Sequence, residues 1–173
     1  MGGMTLASRV FAASHLTGTF VLRSGLTADS YFDKYRFESD PTLLAAIVEE
    51  LAALVPPGTD GLAGLELGGI PIATMLSATT GLPAFFVRKQ AKKYGTEKTC
   101  EGGEIGGMRL LIVEDVVTTG GQILLSAQDL RAEGAFVDHA LCVIDREAGG
   151  MDVAAAEGIA LRPLFRMSEL ESL

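Results

Sequence analysis

Apolar positions along the chain alternate between two rhythms. Over residues 5–15 Leu6, Val10 and Phe11, followed by Leu16, recur at near-helical spacing, and Gly18 breaks the pattern before the extended run Thr19-Phe20-Val21-Leu22. A second helix starts at Asp40-Pro41, an N-cap residue with proline at the first helical position. Leu43, Leu44, Ile47, Val48, Leu51 and Leu54 form its apolar face, and Pro56-Pro57-Gly58 ends it. The apolar run 62–67, the Gly68-Gly69 turn and segment 70–80, closed by Gly81, predict strand, turn and helix. Strands over 84–87, 109–113, 137–144 and 159–165 complete the pattern, with a helix after Gly121 that ends at Gly134 and another over 151–157. Strands that are apolar throughout and alternate with helices predict an α/β fold, a parallel sheet covered on both faces. Residues 88–107 follow neither rhythm and are expected to form a long loop of the functional kind. No internal repeat interrupts this order.

Composition narrows the function classes. A chain of 173 residues suits one compact domain, and 48% hydrophobic residues against 21% charged argue against disorder. No apolar stretch approaches the roughly 20 residues that cross a bilayer, and the N-terminus has neither an export signal nor a lipidation signal, so a cytoplasmic protein is expected. Cys100 and Cys142 lie far apart, and His15 and His139 are the only histidines, which argues against a Cys/His metal site and against histidine catalysis. A net charge of −8 disfavours nucleic acid and anionic membrane as partners. Arg88, Lys89, Lys92, Lys93 and Lys98 nevertheless concentrate in one stretch, which points to a small anionic ligand.

The densest chemistry lies in LLIVEDVVTTGGQ, residues 110–122. A buried strand ends on two carboxylates, Glu114 and Asp115, and hydroxyl and glycine residues then open a helix. Ligands of open parallel sheets bind beyond the carboxyl ends of strands. Thr118, Thr119, Gly120 and Gly121 would offer backbone N–H groups to a phosphate at a helix N-terminus. No Lys-Ser or Lys-Thr follows the glycines, so this is not the P-loop of nucleotide hydrolases. Adjacent carboxylates need hydroxyls or a hydrated cation, and a ribose 5-phosphate satisfies both halves of the motif.

This motif resembles the phosphoribosyl pyrophosphate (PRPP) signature of the type I phosphoribosyltransferases, and further stretches narrow the likeness to the orotate phosphoribosyltransferases. Leu65-Glu66-Leu67-Gly68-Gly69-Ile70-Pro71 resembles the family's pyrophosphate loop, and Arg88-Lys89-Gln90-Ala91-Lys92-Lys93-Tyr94-Gly95 its basic catalytic loop. Tyr94 stands where the family often has His. Phe20-Val21-Leu22-Arg23-Ser24-Gly25 and Tyr31-Phe32-Asp33 resemble the segment that closes over orotate, with Arg23 where Lys is frequent. Arg146 matches an arginine that holds the orotate carboxylate.

The resemblance implies a type I phosphoribosyltransferase fold over residues 1–173, with a core over about 40–165 and a small N-terminal hood from about 1–35, to which the C-terminal tail is a further candidate contributor. It implies transfer of the 5-phosphoribosyl group from PRPP to orotate. Lys92, Arg88, Lys89 and Asp115 are the implied catalytic residues. PRPP would be bound by Glu114, Asp115, Val116, Val117, Thr118, Thr119, Gly120, Gly121, Gln122, Leu67, Gly68, Gly69, Arg88, Lys89, Lys92 and Tyr94, and orotate by Arg23, Tyr31, Phe32, Thr118 and Arg146. Mg2+ is the implied cofactor, held through PRPP and water near Glu114 and Asp115 without direct side-chain ligation. A homodimer sharing the basic loop is the implied assembly. Transfer to a purine or uracil, PRPP sensing without turnover, and a generic nucleotide-binding module remain as alternatives.

Overall fold

The computed structural model describes residues 3–22, 24–89 and 99–173. Its elements run in the order α1 (Leu6–Ser14), β1 (His15–Val21), β2 (Thr27–Phe32), α2 (Tyr35–Ser39), α3 (Pro41–Ala52), β3 (Gly61–Leu65), α4 (Gly69–Thr80), β4 (Ala84–Val87), β5 (Cys100–Glu101), β6 (Arg109–Val117), α5 (Gly121–Ala132), β7 (Phe136–Asp145), α6 (Gly150–Ala156), β8 (Ala160–Arg166) and α7 (Met167–Glu171).

Among the described residues the main sheet has the order β5-β4-β3-β6-β7-β8. It is parallel except at β5, which pairs antiparallel with β4. The central parallel sheet flanked by helices is as expected, and the antiparallel edge strand β5 is an addition that the sequence pattern did not carry. A second, two-stranded antiparallel sheet joins β1 to β2. The chain runs from β3 to one side and from β6 to the other, so the topological switch lies between these neighbours, the place where open α/β sheets take ligands.

Side-chain alternation along the strands separates two cores. Leu110 and Ile112 of β6 join Ile123, Ala127 and Leu130 of α5 on one face. Leu111 and Val113 join Ile47 and Leu51 of α3 and Ile72 and Leu76 of α4 on the other. At roughly 25 cal/mol per Å² of apolar surface, burial on both faces is what fixes the register of these strands.

Several predicted boundaries hold. The Asp40 carboxylate accepts the N–H groups of Thr42 and Leu43 at 2.9 and 3.0 Å, capping α3 ahead of Pro41. Gly81 ends α4 at φ 78°. Other segments differ from the sequence pattern. β1 starts at His15, and Gly18 lies within it, at φ 152° beside a register shift between Thr17 and Phe20. β2, α2, β5 and α7 carry too few residues to show a period. β6 runs four residues past 113, so the carboxylates lie within the strand.

Candidate active site

The carboxyl ends of β6 and β7 open into a cleft of about 580 Å³. Its wall on the β6 side is Glu114, Val116, Val117, Thr118, Thr119, Gly120, Gly121 and Gln122; Arg146 closes it beyond β7, and Tyr31, Phe32, Lys34, Tyr35 and Lys89 face them. Backbone bonds hold these ends together: Arg146 N–H donates to Val117 C=O at 2.8 Å and Gly150 N–H to Thr118 C=O at 3.1 Å. Gly120 caps α5 in the left-handed region at φ 78°, packed so closely on Gly150 that a Cβ would stand 3.0 Å from its carbonyl oxygen. The twelve-residue α5 thus begins at the cleft with its unpaired N–H groups available to an anion.

Asp115 does not line the cleft but lies beneath it, 1% exposed. It continues the Leu111 and Val113 row toward the side of the sheet that carries α4. Gly68, just before that helix, makes room for it: a Cβ there would overlap the Asp115 carboxylate. A Cβ on Gly69 would overlap the Val113 carbonyl. Lys34 Nζ contacts Asp115 Oδ2 at 2.5 Å and also lies 5.3 Å from the Tyr35 ring centroid. Asp115 Oδ1 accepts the Val116 N–H, and Asp115 N–H donates to Glu114 Oε1 at 3.0 Å.

Burial sets the protonation of this floor. It pushes the Glu114 carboxyl well above its ordinary value, an effect that the adjacent Asp115 reinforces. Burial raises Glu38 in the same way, again with help from Asp115, to about 8. For Asp115 burial is outweighed by Lys34 and by the hydrogen bonds it accepts, so it stays below the ordinary carboxylate value. The Lys34 ammonium is likewise held above its usual pKa, since Asp115 and Glu114 overcome the effect of burial.

The remaining expected residues fall in three places. Leu67, Gly68 and Gly69 form the turn between β3 and α4, with Leu67 exposed and both glycines buried. Arg88 pairs through Nε with Glu101 at 3.0 Å, and both border a neighbouring cavity of about 330 Å³ with Glu66 and Phe86. Lys89 reaches the main cleft while its N–H donates to Glu66 at 2.9 Å. Arg23, Lys92 and Tyr94 lie outside the described residues. Arg146 is exposed and makes no ion pair with Asp145 or Glu147 among the described residues; those carboxylates accept the N–H groups of Glu147 and Ser168 instead. No group of three or more His, Cys, Asp or Glu side chains is placed to hold a metal among the described residues.

Sequence reasoning missed Lys34, Tyr35 and Glu38. The available signal was DKYRFES, a charged stretch directly after Tyr31-Phe32, but only the packing of α2 under the cleft gives it meaning.

A doubly wound sheet with an acidic strand and a glycine-opened helix at its switch point is shared with a family of known proteins. Residues 42–158 match the phosphoribosyl transferase domain. An orotate phosphoribosyltransferase of a Nocardioides species is 51% identical over 168 residues, covering 97% of this chain and 94% of that one. That of Methanocella arvoryzae is 44% identical, covering 88% and 87%. The crystal structure of Mycobacterium tuberculosis orotate phosphoribosyltransferase in complex with PRPP superposes with a TM-score of 0.81 at 30% identity over 96% of each chain. The chain belongs to the phosphoribosyltransferase family and, within it, to the orotate phosphoribosyltransferases.

Proposed function

We propose that the protein transfers the 5-phosphoribosyl group of PRPP to orotate, giving orotidine 5-monophosphate and pyrophosphate. The observation that carries this reading is the meeting of Glu114, the Thr118–Gly121 loop and Arg146 in one cleft. The 5-phosphate binds the backbone N–H groups of Thr119 to Gln122 and the hydroxyls of Thr118 and Thr119, where the dipole of α5 favours negative charge. The ribose hydroxyls bond to Glu114, with Asp115 behind it. The diphosphate lies toward the Leu67-Gly68-Gly69 turn, where buried glycines let backbone donors approach.

Orotate enters between Tyr31, Phe32 and Arg146, its planar carboxylate on the guanidinium fork. Arg23 and Thr118 complete its binding. Orotate reacts with its ring nitrogen already ionised, the proton lost to solvent, and that nitrogen's electron pair forms a bond to the anomeric carbon as the bond to the diphosphate oxygen breaks and that oxygen keeps its pair. Positive charge developing on the sugar faces the acidic floor, and the basic segment that holds Arg88, Lys89, Lys92 and Tyr94 supplies the charge that offsets the leaving group. The residues fit Mg2+ carried by the diphosphate, since Glu114 faces the cleft and would hold a water of its hydration shell. Bound there, the ion supplies neutralising charge to the departing pyrophosphate. A cytoplasmic homodimer sharing the basic segment is the setting proposed for this chemistry. Among the described residues no helix is long and apolar enough to cross a membrane.

The test is pyrophosphate release from PRPP and Mg2+ with orotate, uracil, adenine, hypoxanthine or guanine supplied singly. Turnover with orotate alone is expected. Turnover with another base instead would overturn the substrate assignment, and PRPP binding without turnover on any base would make the protein a sensor.

A further inference from the structure

Among the described residues Ser14 Oγ and Glu38 Oε1 are buried side-chain oxygens without a hydrogen-bond partner, and the buried Asp115 Oδ2 has the Lys34 ammonium as its one partner. The two carboxyl oxygens converge. A Cβ placed on Gly68 would overlap Asp115 Oδ2 and stand 2.8 Å from Glu38 Oε1, so both oxygens border one point beneath the cleft. Two ionised carboxylates cannot share such a site, because like charges out of water repel strongly. A single proton between them removes the repulsion and satisfies both oxygens.

The other neighbours decide which group carries it. Asp115 has the Lys34 ammonium on Oδ2 and the Val116 N–H on Oδ1, and both favour its anion. Glu38 has no hydrogen bond among the described residues to stabilise a charge on Oε1. The charged groups that act on Glu38 are Asp115 from β6 and Lys34 and Asp33 from the turn before α2. Of the helices packed on α2, α3 carries Glu49 and Glu50 on its exposed face, and α1 carries Arg9.

We propose that Lys34 and Glu38 are positioning residues that bracket Asp115, the ammonium holding it ionised and the Glu38 carboxyl donating a shared proton to its buried oxygen. The carboxylate beneath the ribose is thereby fixed in orientation and limited to one negative charge. Lys34 also lines the cleft, so PRPP meets the cation of this bracket directly. The proposal rests on the phosphoribosyl-transfer reading for its consequence in turnover, but the shared proton stands on the geometry alone.

Glu38→Gln keeps the shape of the side chain and an N–H donor for Asp115 while removing the titration. The KM for PRPP of the parent is expected to rise about ten-fold per pH unit above a pH of about 8, whereas that of E38Q stays within about two-fold between pH 7 and 9. The same alkaline rise in both proteins would overturn the proposal. Melting temperatures test the proton without reference to turnover. Glu38 holds its proton more tightly folded than unfolded, so the parent loses stability relative to E38Q as pH rises from 4.5 to about 8, and the gap is constant above that. A gap that widens over this window supports the shared proton even with a protein that turns over no substrate, and a gap independent of pH overturns it. Lys34→Arg is expected to keep the PRPP KM within about three-fold at pH 7, and Lys34→Met to raise it at least about ten-fold. A parent-like KM in Lys34→Met, or in Lys34→Gln should the methionine variant not fold, removes Lys34 from the bracket.

Discussion

Gly68 shows how a residue without a side chain can define a site. It is buried against the Asp115 carboxylate and Glu38, and any Cβ there collides with the acid proposed to lie behind the ribose. Gly68→Ala is expected to cost about 1–3 kcal/mol of stability, as overpacking does, and to lower kcat/KM for PRPP by at least about ten-fold, because the carboxylate must turn away from its partners. Thermal unfolding with steady-state kinetics in PRPP checks both, and a variant with parent-like kinetics would show that Asp115 need not hold this position. Glu114 and Asp115, adjacent in sequence, are shifted in opposite directions for reasons of neighbourhood. Glu114 is raised by burial and by the neighbouring Asp115, while the Lys34 ammonium and the hydrogen bonds that Asp115 accepts outweigh its burial and lower it. The sequence places the pair at a strand end, but nothing in the run VED distinguishes the two acids.

Among the elements, β6 and α5 with their connecting loop were the most legible, because a fully apolar strand followed by carboxylates, threonines and glycines has few other uses. What the pattern did not carry was the left-handed conformation at Gly120 and its contact with Gly150, the first residue of α6. Gly120→Ala should therefore lose about 1–2 kcal/mol from the strained φ alone, and more from the carbonyl oxygen of Gly150 at 3.0 Å. Calorimetry would read the stability, and a rise in PRPP KM would report the displaced N–H groups; an alanine variant with unchanged affinity would place the phosphate elsewhere. The short α2 was invisible for the opposite reason. Five residues with no side-chain N-cap cannot form a helix by themselves, and this one persists because Phe37, fully buried, packs against α1 and α3. That packing is also what carries Glu38 under the cleft.

On the scale of the whole molecule, stability and site share one sheet. Leu111, 1% exposed between α3, α4 and the strands, lies four residues before Asp115 on the same face. Leu111→Ala is expected to cost about 2–5 kcal/mol, measured by denaturant unfolding, with kcat/KM nearly unchanged at temperatures where the variant remains folded. A large kinetic defect in the folded variant would instead show that the core sets the geometry of the acids. Sequence alone determined the alternation of strands and helices, the caps at Asp40 and Gly81, and the order of apolar strand, acidic pair and glycine-opened helix, since each rests on residues close together in the chain. The tertiary structure decided what depends on distant partners: the antiparallel edge at β5, the switch point between β3 and β6, the pairing of Arg88 with Glu101, and the gathering of Lys34, Glu38 and Gly68 around Asp115. Periodicity and local chemistry record which face a residue presents, whereas protonation and pairing depend on which other faces the fold brings against it.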